Sequence, residues 1–119
     1  MKLFCSKCNV FLAGSLEEMC SPLEWPEFEP GQDIHFVGKG FFRISDGSKW
    51  LGKEGDYILN RRNLENIVKN KNWHMGCCGS DGSAGVNISC INGHDIGTET
   101  SECYMIKYVI LDKEAVRNA

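Results

Sequence analysis

The stretch GCCGSDGSAGVNISCINGHDIGTETSEC, residues 76–103, holds four of the chain's seven cysteines in a setting of glycine, serine and asparagine. A second pair stands in CSKC, residues 5–8, so most of the chain separates the two groups of thiols. Two thiolates separated by two residues can meet one ion, because a tight turn brings both sulfurs to one side with backbone N–H groups aimed at them. CSKC has that spacing. A structural zinc takes four ligands, so the 76–103 stretch has to complete the shell. Cys90, in CINGH, is followed by glycine where a zinc knuckle turns, but Asn92 or Gly93 holds the position of the second cysteine. The remaining ligand comes from Cys77 or Cys78, from Cys103, or from the imidazole of His94. Glycines flank the vicinal pair and let backbone approach a buried ion closely. Adjacent side chains point in different directions, so only one of the pair binds. The expected shell is Cys5, Cys8, Cys78 and Cys90, with Cys77, Cys103 and His94 as alternatives.

Length and composition support a metal over a disulfide framework. A chain of 119 residues with 42% hydrophobic content is expected to form one domain over 1–119, near the size where a staple adds useful stability. The opening MKLFCSKCNVFLAG has no apolar run of signal-peptide length, and nothing later approaches 18 consecutive apolar residues. A soluble, cytoplasmic protein without a membrane partner is expected. In a reducing compartment seven cysteines point to metal ligation or thiol chemistry, and an odd count fits complete pairing poorly. The formal charge of −3, from 13 basic and 16 acidic residues, provides no field for nucleic acid. Lys49, Lys53, Arg61, Arg62, Lys69 and Lys71 are scattered and read as a solvated face.

Ser15 followed by Glu18 has capping-box spacing, which predicts a short helix over 16–20 stopped by Pro22. Three prolines, Pro22, Pro26 and Pro30, then make 22–33 an irregular connection. IHFV, GFFRIS, KWLG and DYILN, between residues 34 and 60, are aromatic and β-branched runs punctuated by glycine, the pattern of an antiparallel meander. Asp46-Gly47 and Glu54-Gly55 are its turns. In NRRNLENIVKN, Leu64, Ile67 and Val68 at i, i+3, i+4 predict an amphipathic helix with Asn60 as its N-cap. CYMIKYVIL, 103–111, is apolar on both faces apart from Lys107 and predicts an interior strand. Asp112 caps a final turn in KEAVRN. The fold class is α+β, mostly antiparallel sheet with one or two short helices.

Between Glu17 and Asp33 stand six carboxylates and neither lysine nor arginine. Trp25 and Phe28 lie among Glu24, Glu27 and Glu29. Proline-stiffened backbone with aromatic anchors in an acidic field suits a basic protein partner, the charge steering and the rings binding. The simpler arrangement has Trp25 and Phe28 pinning the loop to the core while the carboxylates face water. Cys20 and Cys103, each beside apolar residues, read as small packed hydrophobes. His35 and His74 read as ordinary polar residues. NIS at 87–89 needs a secretory route to be glycosylated, and SDGSAGVNIS lacks the terminal Glu of a calcium loop.

GCCGSDGSAGVNISC…G…GTETSEC, together with the N-terminal CSKC, resembles a group of small uncharacterised bacterial proteins with a GCCG-x-DG-x-x-G-x-N core. The resemblance implies zinc ligation and no particular activity. The layout of CxxC, sheet and C-x-x-G-x-x-I-G is similar to the β-tent zinc folds of Yippee-like proteins and methionine-R-sulfoxide reductases. An enzyme of the reductase kind uses a low-pKa cysteine on a late strand, where Cys103 stands. Glu102 beside it raises a thiol pKa, which disfavours that activity. No Ser-His-Asp set, phosphate loop or dinucleotide fingerprint is present. The expected protein is a zinc-stapled domain of zinc-ribbon or β-tent type. Its expected role is non-catalytic binding of a basic protein, as in a bacterial toxin-immunity protein. A thiol-dependent redox enzyme with Cys103 as nucleophile is the alternative.

Overall fold

The structure is a computed structural model and describes residues 1–29, 32–75 and 78–119. Strands β1 (Leu3–Cys5), β2 (Phe11–Ala13) and β10 (Val116–Asn118) form a small antiparallel sheet in the order β10-β1-β2. A larger sheet contains β3 (Glu17–Glu18), β4 (Phe41–Ile44), β5 (Tyr57–Leu59), β6 (Ile67–Lys69), β7 (Ile88–Cys90), β8 (Asp95–Thr100) and β9 (Tyr108–Leu111). Its spatial order is β3-β4-β5-β9-β8-β7-β6, antiparallel except for the β3–β4 pair. The main core draws on both sheets. Leu3, Leu12 and Val116 from the small sheet pack with Leu59, Val109 and Leu111 from the large one. A second cluster, Leu23, Phe36, Val37, Leu51 and Ile58, carries the proline-rich connection against the meander.

The aromatic and β-branched runs behave as their composition predicts where partners flank them. GFFRIS and DYILN supply β4 and β5, in register Phe42↔Leu59 and Ile44↔Tyr57. KWLG is no strand. It forms the hairpin loop between them, drawn in by fully buried Leu51 and closed by the Ser45–Asp56 and Gly55–Ser45 backbone hydrogen bonds. IHFV makes only an isolated bridge, His35 to Lys107. The last apolar run is a strand only over Tyr108–Leu111, which lies inside the sheet between β5 and β8. Asp112 does cap the final turn, accepting the Glu114 N–H at 2.9 Å, and β10 follows.

Both expected helices are absent, so the regular structure of the described residues is almost entirely β-strand. Its one helical element is the 3-10 turn Arg61–Asn63, capped by Asn60 as predicted. Five residues ahead of Pro22 are too few to offset helix nucleation. Backbone bonds from Glu17 N–H to Gly40 O and from Met19 N–H to Phe42 O place that segment beside β4 instead. In NRRNLENIVKN the chain reverses at Asn66, whose φ is +57°. The β-branched Ile67 and Val68 then pair with Cys90 and Ser89 in β6–β7. Leu64 is buried as the periodicity implied, while Val68 is exposed. No helix among the described residues is long and apolar enough to cross a membrane.

Candidate metal centre

Cys5 ends β1, and the turn that follows carries Cys8. That turn is closed by Asn9 N–H to Cys5 O and Cys5 N–H to Val10 O, each 2.9 Å. Across from it, Cys90 ends β7 and His94 immediately precedes β8. The loop between them is a tight knuckle, with Cys90 N–H donating to His94 O and Gly93 N–H to Cys90 O, both 2.8 Å. Gly93 has φ +88°, the left-handed conformation that closes the knuckle, which glycine adopts without cost. Asn92 Nδ2 reaches across and donates to Cys8 Sγ at 3.3 Å, tying the two turns together.

The side chains of Cys5, Cys8, Cys90 and His94 converge, with all four ligand atoms within 4.8 Å of one another, close enough to bind a metal ion. Cys8 Sγ and Cys90 Sγ are 3.7 Å apart, and His94 Nδ1 lies 3.7 Å from Cys5 Sγ and 3.4 Å from Cys90 Sγ. A tetrahedral ion bound at about 2.3 Å to sulfur and about 2.0 Å to nitrogen sets its sulfurs ~3.8 Å apart and sulfur from nitrogen ~3.5 Å apart. These three separations are near those of a tetrahedral site. Cys5 and Cys90 are fully buried. Burial pushes the Cys5 thiol up, partly offset by backbone N–H groups of Lys7 and Cys8. Cys8 is lowered to about 6, first by the Asn92 hydrogen bond and then by the backbone at Val10.

Three of the four expected residues, Cys5, Cys8 and Cys90, are thus together, and His94 rather than Cys78 stands beside them. Cys78 is the correction. Its sulfur forms a disulfide with Cys103, at the other end of β8. That six-residue strand is roughly 20 Å long, so a residue held near Thr100 and Glu102 cannot reach an ion beside His94. Cys77 lies outside the described residues. The missed signal was the C-x-x-x-H spacing of CINGH, in which a knuckle that lacks its second cysteine closes one residue later on an imidazole.

Cys103 is likewise not the packed bystander its neighbours suggested. Glu102, buried at 6% exposure, points Oε1 at both sulfurs, 3.3 Å from each, and accepts the N–H groups of Cys78 and Cys103. Cys20 is exposed, and its thiol is raised by a hydrogen bond to Glu18 and by that carboxylate's charge.

In the acidic segment, Trp25 packs edge-on against Phe36 at 5.3 Å and leans on Tyr108 at 5.8 Å, yet keeps 40% of its surface exposed. Phe28 is half-buried, and Glu24, Glu27 and Glu29 face solvent. Asp33 is exposed and pairs with Lys107, His35 and Arg62. The basic residues are not one open face. Arg61 pairs with buried Glu99, Lys53 approaches Asp112, and Lys69 lies over the Trp73 ring.

Comparison with protein-family models, curated proteins and solved structures found no match.

Proposed function

We propose that the chain is a zinc-stapled recognition domain that binds a basic protein through its acidic, proline-stiffened loop. The observation that supports the zinc staple is the convergence of Cys5, Cys8, Cys90 and His94, whose ligand atoms all lie within 4.8 Å of one another. Three thiolates and one imidazole suit zinc among common ions, and four protein ligands leave no open position for substrate or water. Such an ion holds the β1–β2 turn of the small sheet to the β7–β8 turn of the large one, in the manner of zinc-ribbon and β-tent domains. On this reading Trp25 is mainly an anchor. Its contacts with Phe36 and Tyr108 hold the loop, so that Glu24, Glu27 and Glu29 present a fixed negative surface. A toxin domain rich in lysine and arginine is the partner class this surface suits, which is the relation of a toxin-immunity protein.

The test reverses Glu24, Glu27 and Glu29 to lysine together. Zinc content and melting temperature should hold. Capture of a basic protein, identified by mass spectrometry and then titrated in purified form, should be lost, and the wild-type affinity should fall as salt rises. Equal binding by the reversed variant overturns the reading. A second reading, thiol-dependent redox activity, draws its support from the Cys78–Cys103 disulfide. Reduction of a sulfoxide substrate that disappears in Cys103→Ser would replace the binding module with the enzyme.

A further inference from the structure

We propose that Cys78 and Cys103 are a thiol–disulfide exchange site, in which Cys78 attacks low-molecular-weight disulfides, Cys103 resolves the mixed disulfide, and Glu102 carries the proton. The site shares no residue with the metal centre and stands whether or not that centre binds zinc.

Backbone bonds hold the pair together without any sulfur. Ser101 and Glu102 N–H both donate to Ser80 O, at 2.7 and 3.0 Å, and Ser80 N–H donates to Ser101 Oγ at 3.1 Å. Gly79 makes this approach possible, because a Cβ there would stand 2.4 Å from Ser101 O. The Cα atoms of Cys78 and Cys103 are 5.9 Å apart, inside the span a disulfide bridges. The same frame serves the dithiol, so oxidation and reduction need little rearrangement.

The two sulfurs differ. Cys78 is exposed and accepts the Cys103 N–H at 2.9 Å, a contact that favours a thiolate there. Cys103 is half-buried, where an incoming disulfide reaches it less readily. Glu102 Oε1, 3.3 Å from each sulfur and fixed by two backbone N–H groups, is placed to take a thiol proton.

In the first step Cys78 gives its proton to Glu102, and its sulfur attacks a small disulfide RSSR. A Cys78–SR bond forms, the R–S–S–R bond breaks, and the departing thiolate takes the proton back from Glu102. In the second step Cys103 loses its proton to Glu102 and attacks Cys78 Sγ. The Cys78–Cys103 bond forms, the Cys78–SR bond breaks, and a second RSH leaves with that proton. Two electrons pass from the protein dithiol to RSSR, which becomes 2 RSH. The reverse sequence reduces the protein.

The experiment uses the zinc-loaded full chain with Cys77→Ser, so that the adjacent thiol cannot take part. The protein is reduced, exposed to glutathione disulfide at pH 7, and mapped by alkylation and mass spectrometry. The parent should form Cys78–Cys103 and release two glutathione thiols per chain with no lasting adduct. Cys103→Ser, and equally Cys103→Ala, should trap glutathione on Cys78 about tenfold faster than on exposed Cys20. Cys78→Ser should leave Cys103 largely unmodified. Glu102→Gln, which keeps an oxygen for the backbone N–H groups, should slow the first step by about tenfold, and an equal rate overturns its role in proton transfer. Zinc content and the thermal melt check that each variant folds. Trapping on Cys78 no faster than on Cys20 overturns the proposal. A second zinc equivalent that shields Cys78 and Cys103 in the reduced chain, with no exchange, overturns it in favour of a second metal site.

Discussion

Stripping the metal from the reduced protein should lower its melting temperature by about 18 °C, a figure that follows from the span the ion closes. Cys8 and Cys90 are 82 residues apart in sequence with their sulfurs 3.7 Å apart. Treated as a cross-link over a loop of that length, the ion removes about 15 cal/mol/K from the unfolded chain, or about 4.5 kcal/mol at 25 °C. At about 2.1 cal/mol/K per residue, the unfolding entropy of 119 residues is about 250 cal/mol/K, and the quotient is the expected shift. The chelated chain should stay folded, because Leu3, Leu12, Leu59 and Val109 pack the two sheets together without help from the ion. The assay is differential scanning calorimetry at neutral pH, with metal content measured by elemental analysis on the same samples. His94→Gln should lose metal and reproduce the low melt, whereas Cys78→Ser should keep one equivalent of zinc. A melt that moves by less than about 3 °C after verified metal removal would show that the two knuckles hold each other unaided. Zinc lost from Cys78→Ser but kept by His94→Gln would return Cys78 to the shell.

In the metal-free protein with Cys78 and Cys103 joined, Cys8 should be the fastest thiol to alkylate near neutral pH, with half-maximal rate near the value of about 6 set first by Asn92. Exposed Cys20, raised by Glu18, should lag. A thiol lowered from 9.0 to about 6 on folding is an anion in the folded chain while the unfolded chain still holds its proton. Its contribution to stability is therefore complete above pH 9.0 and lost as pH falls through about 6. A metal-free protein whose Cys8 titrates like a free thiol refutes the Asn92 contact. Asn87 is fully buried, donates to Ser80 Oγ and Glu99 O, and accepts the Glu99 N–H at 2.7 Å. Asn87→Ala removes the amide from the buried Glu99 N–H and C=O, while Ser80 Oγ keeps the Gly82 N–H, and should cost roughly 2–3 kcal/mol in urea unfolding. A change under about 0.5 kcal/mol would mean that water replaces the amide without loss.

The parts of this protein legible in its sequence are those decided over a few residues. CSKC needs only one turn to aim two sulfurs, Asn60 needs only its own side chain and Arg62 N–H, and Asp112 caps a turn two residues away. The FFRI and YIL runs are strands because β-branched and aromatic residues lose little in extended backbone, and β4 and β5 are joined by their own loop. Tertiary structure decided whatever depends on a distant partner. Leu64, Ile67 and Val68 carry helical periodicity, yet Ile67 and Val68 become β6 because β7, about twenty residues on, offers an open edge that a lone amphipathic turn cannot match. Spacing could nominate Cys77, Cys78, Cys103 and His94 as fourth ligands but could not choose among them. The direction of β8 decides which of them stand together, placing His94 at the end that faces Cys5 and Cys8, and Cys103 at the end that faces Cys78. That direction comes from pairing with Tyr108–Leu111, a contact between strands whose register no local pattern of residues contains.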